Sequence, residues 1–277
     1  MLKISNFEVV GWEHAIRGMR NPMNSWGKSD SEFITVDGEH HDICGNSGPW
    51  YGSDGWSETL IGEQDLDLMK RLRNAGTDHR KFMRMITVYV DITAPLYWWK
   101  EFDTYKVGTV ANSCSTMHKI AAKEFTVDDF SHEHLDGVSR DMFGNGDGTK
   151  FFCSFEDMIY IQVEALNEAR KLYLETKDKK YWWQMIQLLP SSYNQKRTIM
   201  LNYEVLANIY KSRRNHKLDE WHSFCDWIED LPYSEVITGN PQNDELLSMP
   251  IEGLIMNSVR ELLDMEPIKG DGDDDKQ

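Results

Sequence analysis

The chain is short of positive charge. Its 277 residues include 30 lysines and arginines against 46 aspartates and glutamates, which gives a formal net charge of -16 at pH 7. A protein that coats nucleic acid needs a positive field along an extended face, so this balance excludes that class of partner. One small phosphate group needs only a few local cations, so nucleotide ligands remain compatible with the composition.

Cysteine and long apolar runs are also scarce. Cys44, Cys114, Cys153 and Cys225 lie far apart, with no CxxC pair, which is typical of a protein kept reduced in the cytoplasm. No run approaches the length of a membrane span, and the first residues, MLKISNFEVVGW, lack the charged and apolar segments of a signal peptide. We therefore expect a cytoplasmic protein without a membrane partner.

Apolar residues are plentiful enough for a sizeable core, at 40% of the chain with ten tryptophans. We expect a single domain over residues 1–266, with loop insertions near 21–60 and 125–150. The insertions are rich in Gly, Ser, Asp and Asn, which favour turns. Residues 267–277 form an acidic tail that we expect to be disordered.

Hydrophobic periodicity predicts a mixture of strands and helices. A buried strand over Phe82–Ile92 ends at Pro95, and a long amphipathic helix over Phe155–Thr176 begins at an N-cap, Ser154, with Asp157 three residues on. An edge strand is predicted over Leu2–Val10, and further helices over Trp12–Arg20, Asp65–Asn74, Leu96–Asp103, Tyr181–Leu189, Thr198–Arg213 and Leu218–Ile228. The tryptophans Trp98, Trp99, Trp182, Trp183, Trp221 and Trp227 are predicted to lie in the core.

Two kinds of local motif carry little weight. The GNGDG segment lacks the Lys-Ser/Thr pair of a phosphate loop, so it reads as a surface turn. His40, His41 and Cys44 form one incomplete metal-ligand set, and His132 with His134 forms another, so we predict no metal site. The polar and aromatic stretch Thr93–Lys119, which follows the buried strand, is where we expect any chemistry of the protein to take place.

The order of motifs through this stretch resembles the flavin-dependent thymidylate synthase family. His79 stands at the family's turn histidine, and Ala94 and Pro95 match its Ala-Pro step. Downstream, Lys100-Glu101-Phe102 replaces the family's Arg-Gln-Trp, Thr104-Tyr105-Lys106 replaces its Arg-His-Arg signature, and Asn112 and Ser115 match the next Asn and Ser.

The resemblance continues in the second half of the chain and covers about Trp12 to Trp227. Leu189-Pro190 matches a Leu-Pro step, Asn202 and Leu206 match an Asn-x-Arg-Ser-Leu helix, and Asn208 and Arg213 fall on an Asn and an Arg of the family. Two of the family's arginines are lysines here, Lys100 and Lys106. Four more are replaced by residues without a positive charge, which are Thr104, Met117, Ile186 and Glu204.

The resemblance implies an α/β (α+β) protein with the flavin-dependent thymidylate synthase-like fold, in which a central mixed or antiparallel sheet is flanked by long helices. It also implies a homotetramer, FAD as cofactor and methylation of a pyrimidine nucleotide of the dUMP type. It places His79, Tyr105, Lys106, Asn112, Asn202 and Asn208 at the flavin, and Lys100, Lys106, Ser115 and Arg213 at the nucleotide. Because the flavin carries the hydride chemistry in this family, no catalytic residue is assigned.

The missing arginines open a second hypothesis. Each lost charge-assisted hydrogen bond to a phosphate is worth roughly 1.5–3 kcal/mol, so the changes together alter phosphate affinity by orders of magnitude. One interpretation is a divergent enzyme that has rebuilt its phosphate clamp. The alternative is a non-catalytic protein of the same fold that sequesters a different, signalling nucleotide. The cations available for a new clamp are Lys100, Lys106, Arg197, Arg213, Arg214, Lys217, Arg17 and Arg20.

Overall fold

The structure, a computed structural model, describes residues 2–34, 39–44, 47–49, 59–144 and 150–239. The chain forms two compact units, each built from segments that are distant in sequence. The first comprises Met1–Glu8, Val88–Leu201 and Arg213–Asp226, and the second comprises Val9–Thr87, Asn202–Ser212 and Trp227–Gln277. The assignment of residues 1–266 to one domain stays a prediction, and the acidic tail lies outside the described residues.

The described residues contain both strands and helices. The strands are β1 (Lys3–Val10), β2 (Glu32–Ile34), β3 (Glu39–His41), β4 (Ser47–Pro49), β5 (Thr59–Leu60), β6 (Thr87–Pro95), β7 (Val110–Ser113), β8 (Arg140–Gly144), β9 (Lys150–Cys153) and β10 (Asn194–Asn202). The helices are α1 (Trp12–Arg20), α2 (Glu63–Asn74), α3 (Leu96–Phe102), α4 (Thr116–Lys119), α5 (Phe155–Thr176), α6 (Lys179–Leu188), α7 (Tyr203–Arg213), α8 (Asp219–Glu229) and α9 (Glu235–Thr238).

A four-stranded sheet in the order β1-β6-β10-β7 forms the centre of the first unit. Strand β6 buries alternate residues, including Val88, Val90 and Ile92, because successive side chains of a strand point to opposite faces. Strand β10 buries Ile199 and Leu201 in the same way and pairs antiparallel with β7. The predicted α/β (α+β) class is confirmed.

Two predicted boundaries are wrong. The helix predicted over Thr198–Arg213 begins only at Tyr203, because the preceding residues form the sheet strand β10. The strand predicted over Phe82–Ile92 begins only at Thr87, after a 3-10 helix over Arg80–Arg84. A short apolar run fits either period, and hydrogen bonding to neighbouring strands decides between them.

Aromatic side chains fill the space beside α3 and α8 in the first unit. Trp98 is fully buried, and its ring centroid lies 4.8 Å from that of Trp221 and 5.1 Å from that of Phe102. Trp99 is buried as well, so the core prediction holds for these tryptophans. It is wrong for Trp183, which is 45% exposed on α6.

Helix α5 begins where its sequence predicts. The Ser154 hydroxyl accepts a hydrogen bond from the Asp157 amide at 3.0 Å, and the Asp157 carboxylate accepts one from the Ser154 amide at 2.7 Å. This reciprocal capping box satisfies two amides that the first turn otherwise leaves unpaired. Buried Ile159, Val163 and Leu166 then pack the helix onto a cluster that includes Met185 of α6.

Helices α1, α2 and α7 belong mainly to the second unit. Gly11, with a φ of 97°, precedes α1, and a Cβ there would lie 2.1 Å from the Met85 carbonyl oxygen. Only glycine fits such a close approach in the left-handed region. The insertion near residues 21–60 contains a small sheet, β4-β3-β2-β5, which differs from the irregular loop that its composition predicted.

Candidate functional site

A cavity of about 500 Å³ lies in the first unit, where the end of β6, the start of β10 and the chain after β7 come together. This volume is within the range of small-molecule sites. The lysines at its wall outnumber the acidic side chains by four to two. The lysine-rich cavity is lined by Lys3, Lys119, Lys123, Lys196, Asp128, Asp129, Thr93, Cys114, Ser115, Thr116, Tyr193, Asn194 and Gln195, among others.

Backbone pairing positions the polar side of the lysine-rich cavity. Strands β7 and β10 pair with Ser113 opposite Arg197, and the next amide, that of Cys114, donates to the Lys196 carbonyl oxygen at 2.9 Å. The Gln195 side chain then donates to the Cys114 carbonyl oxygen at 3.0 Å. These bonds hold the turn between β7 and α4 against the edge of the sheet.

Ser115 follows this turn as the N-cap of α4. Its hydroxyl accepts a hydrogen bond from the His118 amide at 3.2 Å and lies 2.8 Å from His118 Nδ1. The sequence left capping and ligand binding both open for Ser115. The structure shows the capping role and also places Ser115 at the wall of the lysine-rich cavity.

Two of the four lysines are held by carboxylates. Lys196 Nζ lies 2.9 Å from the Asp91 carboxylate, and this hydrogen bond raises the pKa of the lysine. The pKa of Asp91 is lowered in turn by hydrogen bonds from Thr198, Lys196 and Asn6. Lys123 pairs with Asp129. Lys3 and Lys119 are exposed and form no ion pair with any residue that the structure describes, so they can neutralise an anionic ligand.

Arg213, the predicted phosphate ligand, is paired within the first unit. Its Nη1 lies 2.8 Å from the Glu101 carboxylate, and its Nε donates to the Tyr105 hydroxyl at 3.0 Å. The guanidinium also lies 4.9 Å from the ring centroid of Trp221, whose indole N–H donates to Glu101 at 3.0 Å. Glu101 therefore neutralises Arg213 in a half-buried network.

The other arginines available for a new phosphate clamp are engaged in the same way. Arg197 Nη1 lies 2.7 Å from Asp103, and its guanidinium lies 4.2 Å from the Trp99 ring centroid. Arg214 pairs with Asp226 at 2.5 Å, on the surface. In the second unit, Arg17 pairs with Glu13, and Arg20 forms a buried pair with Asp65 at 2.6 Å.

Glu204, in place of a family arginine, reverses the charge at the start of α7 in the second unit. Its carboxylate pairs with Arg84 and, at 3.3 Å, with Arg80, while Arg80 Nη2 donates to the Asn208 side-chain oxygen at 3.1 Å. Burial alone raises the pKa of Glu204, but the hydrogen bonds and charges of Arg84 and Arg80 outweigh it and lower that pKa overall. The carboxylate is therefore ionised and balances part of the charge of both arginines.

The residues predicted at the flavin divide between the two units. His79, Asn202 and Asn208 belong to the second unit, and Tyr105, Lys106 and Asn112 belong to the first. The Asn202 side-chain oxygen caps α7 by accepting from the Val205 amide at 3.1 Å. Asn208 accepts from Arg80, and Tyr105 accepts from Arg213.

Several side chains expected to hold FAD are thus committed to groups of the chain itself. They do not fit a flavin bound through their oxygen atoms, and we assign no chemical step to FAD. Of the remaining predicted residues, Lys100, Lys106 and Asn112 are exposed in the first unit, and His79 is half-buried at the start of the 3-10 helix in the second.

Sequence reasoning missed the lysines that face the lysine-rich cavity. Lys3 lies on the first strand, Lys119 at the end of α4, and Lys196 on β10, a strand that the sequence did not predict. The only sequence signal that these lysines share is their position beside a strand or turn. Lysines in such positions are common on protein surfaces, so this signal does not indicate a binding site. Arg80 and Arg84 were missed for a similar reason, since their partner Glu204 lies 120 residues or more away.

Within residues 2–34, 39–44, 47–49, 59–144 and 150–239, His, Cys, Asp and Glu form no group of three that could hold a metal ion. His134 instead pairs with Asp219 at 3.1 Å, while the side chains of His40 and His41 lie outside what the structure describes. Over the same ranges, the structure contains no helix that is long and apolar enough to span a membrane.

Comparison with solved structures identifies the fold. The structure of thymidylate synthase X (ThyX) from Helicobacter pylori with FAD and dUMP matches with a TM-score of 0.54 and 15% sequence identity, over 86% of this chain and 98% of that one. A UMP/dUMP methylase, PolB, from Streptomyces cacaoi bound with 5-Br dUMP matches with a TM-score of 0.50 and 12% identity, over 86% of this chain and 95% of that one.

No protein-family model matches the sequence. No curated protein matches it either. At this identity the likeness applies to the fold, and the chain has the fold of the flavin-dependent thymidylate synthases. The resemblance inferred from the sequence is confirmed at that level.

Proposed function

We propose that this protein binds a pyrimidine nucleotide, with the phosphate in the lysine-rich cavity of the first unit. The observation that carries the proposal is the set of four lysines around that cavity, two of them without an ion pair among the described residues. In an acidic protein such a cluster creates a local positive potential that attracts a dianion. The fold supports a pyrimidine as the base of this nucleotide, because solved proteins of this fold hold dUMP or 5-Br dUMP.

The cavity also offers hydrogen-bonding groups that suit a nucleotide. Ser115 and Thr116 lie on one wall and Asn194 on another, so hydroxyl and amide groups accompany the ammonium groups. Lysine holds phosphate as a point charge and does not impose the bidentate geometry of arginine. A lysine clamp in place of an arginine clamp therefore predicts weaker and less selective phosphate binding than the family's signature would give.

The paired arginines favour a binding protein over an enzyme. Arg213 is neutralised by Glu101, and Glu204 balances the charge of Arg80 and Arg84. Several groups expected at the flavin are engaged in the same networks. We therefore place first the non-catalytic role, in which the protein sequesters a nucleotide in the cytoplasm.

The second candidate is a divergent flavin-dependent thymidylate synthase that methylates a dUMP-type nucleotide with FAD. The likeness to the FAD- and dUMP-bound Helicobacter pylori enzyme favours it. Under this candidate the exposed side chains of Lys106 and Asn112 in the first unit contact the flavin. A yellow protein as purified, or one that takes up added FAD, would support this candidate.

Thermal unfolding with added ligands tests the two candidates together. We expect dUMP, UMP or another pyrimidine nucleotide to raise the melting temperature without FAD, since a ligand at about 100 times its Kd stabilises by about 2.7 kcal/mol. Stabilisation only when FAD is also present would favour the enzyme. No shift with any mono-, di- or cyclic nucleotide would overturn nucleotide binding.

A homotetramer is part of the proposal. Large apolar side chains are exposed on the hairpin of β8 and β9 and on α5, including Phe152 at 66%, Ile161 at 53% and Tyr160 at 51%. Large exposed apolar side chains on neighbouring elements are typical of a surface that contacts another chain. Light scattering after size exclusion should report four times the 32.3 kDa chain mass, and a monomer would contradict this assembly.

A further inference from the structure

Three sulfur atoms meet at the start of α5, away from the lysine-rich cavity. Cys153 Sγ lies 3.5 Å from Met142 Sδ and 3.7 Å from Met158 Sδ. All three side chains are half-buried, so the sulfurs are neither sealed in the core nor fully in solvent. We call Met142, Cys153 and Met158 the sulfur cluster.

Three separate local features bring the sulfur cluster together. Cys153 is the last residue of β9 and pairs with Arg140 of β8. The pairing register shifts between Asp141 and Phe143, so Met142 is the extra residue of a β-bulge, a device that re-aims a side chain. Met158 follows in the first turns of α5, whose start is fixed by the Ser154 capping box. The convergence thus depends on the bulge and the cap as well as on the sequence.

From this geometry we propose that the sulfur cluster is a binding site for a soft monovalent metal ion, Cu(I) or its analogue Ag(I). A thiolate and two thioethers are the ligands that soft metal ions prefer, whereas Mg²⁺ and Ca²⁺ take oxygen. Three sulfurs arranged in a plane around a metal at about 2.3 Å lie about 4 Å from one another. The two observed separations are within about 0.5 Å of that value, so small rotations of the methionine side chains complete the site.

The binding step needs no oxidant or reductant. The Cys153 S–H bond breaks, its proton passes to solvent, and the sulfur lone pair forms the bond to Cu(I). Met142 and Met158 each donate a sulfur lone pair and remain neutral. The metal keeps its oxidation state, and the charges of Cu(I) and thiolate cancel, which suits a half-buried site.

The sulfur cluster does not depend on the proposed nucleotide function. The lysine-rich cavity contains a different cysteine, Cys114, which is exposed, and Cys225 is buried in the core. Loss of nucleotide binding would therefore leave the metal proposal standing, and loss of metal binding would leave the nucleotide proposal standing.

The test uses the full-length protein, reduced and free of oxygen, titrated with Cu(I) against a chromogenic Cu(I) chelator. We expect one Cu(I) ion to bind tightly to each chain, and we expect this binding to be lost in the Cys153→Ser variant. Met142→Leu and Met158→Leu should each weaken binding by roughly tenfold or more, since even outer-shell changes at metal sites cost 10–100-fold. Cys114→Ser is the matched control and should leave the tight equivalent unchanged.

X-ray absorption on the loaded protein gives a second readout, in which sulfur-only coordination is expected. Leucine conserves most of the methionine volume, so the methionine variants should fold, and circular dichroism checks this. A tight equivalent that survives in Cys153→Ser, or methionine variants that bind as strongly as the unmodified chain, would overturn the proposal. So would failure of the unmodified protein to compete with the chelator.

Discussion

Arg213 Nη1 and Glu101 Oε2 lie 2.8 Å apart, which pairs the arginine that sequence spacing assigned to a nucleotide phosphate with a carboxylate 112 residues away. Trp221 donates to the same oxygen at 3.0 Å, and His216 Nε2 lies 3.4 Å from it. One carboxylate therefore organises an arginine, an indole and an imidazole. This arrangement is the main reason to look for phosphate binding at the lysines instead.

Replacement of Glu101 by glutamine should lower the free energy of unfolding by about 1–3 kcal/mol, because a hydrogen-bonded partner of a charged group is lost in a half-buried network. Urea denaturation measures the change. Asp226→Asn is the matched control, since it breaks the exposed pair with Arg214, where about 0.5 kcal/mol or less is expected. Equal effects of the two substitutions would contradict the organising role of Glu101.

The lysines of the cavity should control nucleotide affinity. Lys119→Ala should weaken binding of dUMP, or of whichever nucleotide stabilises the protein, by roughly tenfold, and Lys3→Ala by a similar factor, since each removes one charge-assisted contact. Isothermal titration calorimetry measures the dissociation constants. Lys100→Ala is the control, because Lys100 does not line the cavity. A loss of nucleotide affinity in Lys100→Ala alone would favour the placement of the phosphate at Lys100 that the family resemblance implies.

Glu204 should make the stability of the protein depend on pH. Its pKa in the folded state is lowered by Arg84 and Arg80, so its stabilising contribution is present above the unfolded pKa of about 4.3 and is lost as the pH falls through the folded pKa. Glu204→Gln should therefore destabilise the protein at pH 7, and the difference from the unmodified chain should shrink below about pH 4.3.

Urea denaturation at a series of pH values measures this difference. Asp67→Asn serves as control, since Asp67 forms an exposed pair with Arg71 on α2 and should cost little at any pH. A difference between the unmodified chain and Glu204→Gln that stays constant down to pH 3 would show that Glu204 contributes by packing and not by charge.

The N-cap of α5 should be worth about 1 kcal/mol. Ser154 is buried and its hydroxyl accepts from the Asp157 amide, so Ser154→Ala leaves that amide without its partner. Denaturant unfolding of Ser154→Ala measures the loss. Ser223→Ala is a control on an exposed helical serine, for which a change within about 0.5 kcal/mol is expected. If Ser154→Ala were neutral, the capping box would not fix the start of α5.

Sequence alone determined the elements whose signals are local. The periodicity of α1 and α5, the capping box at Ser154 and the break at Pro95 depend on neighbours a few residues apart, and the structure confirms them. The order of motifs around Ala94 and Pro95 also predicted the fold through the family resemblance, because the spacing between motif residues reflects the arrangement of strands and helices. The acidic composition likewise limited the kinds of partner.

Only the tertiary structure decided which charged residues form ion pairs with one another. Sequence shows Arg213 and Glu101, or Arg84 and Glu204, as separate charges, and only folding brings each pair within bonding distance. Strand β10 was hidden for the same reason, since hydrogen bonds to strands far away in sequence select it over a helix. An ion pair between residues more than a hundred positions apart produces no periodic pattern in the sequence. Only the structure therefore shows which lysines and arginines are available to bind a ligand.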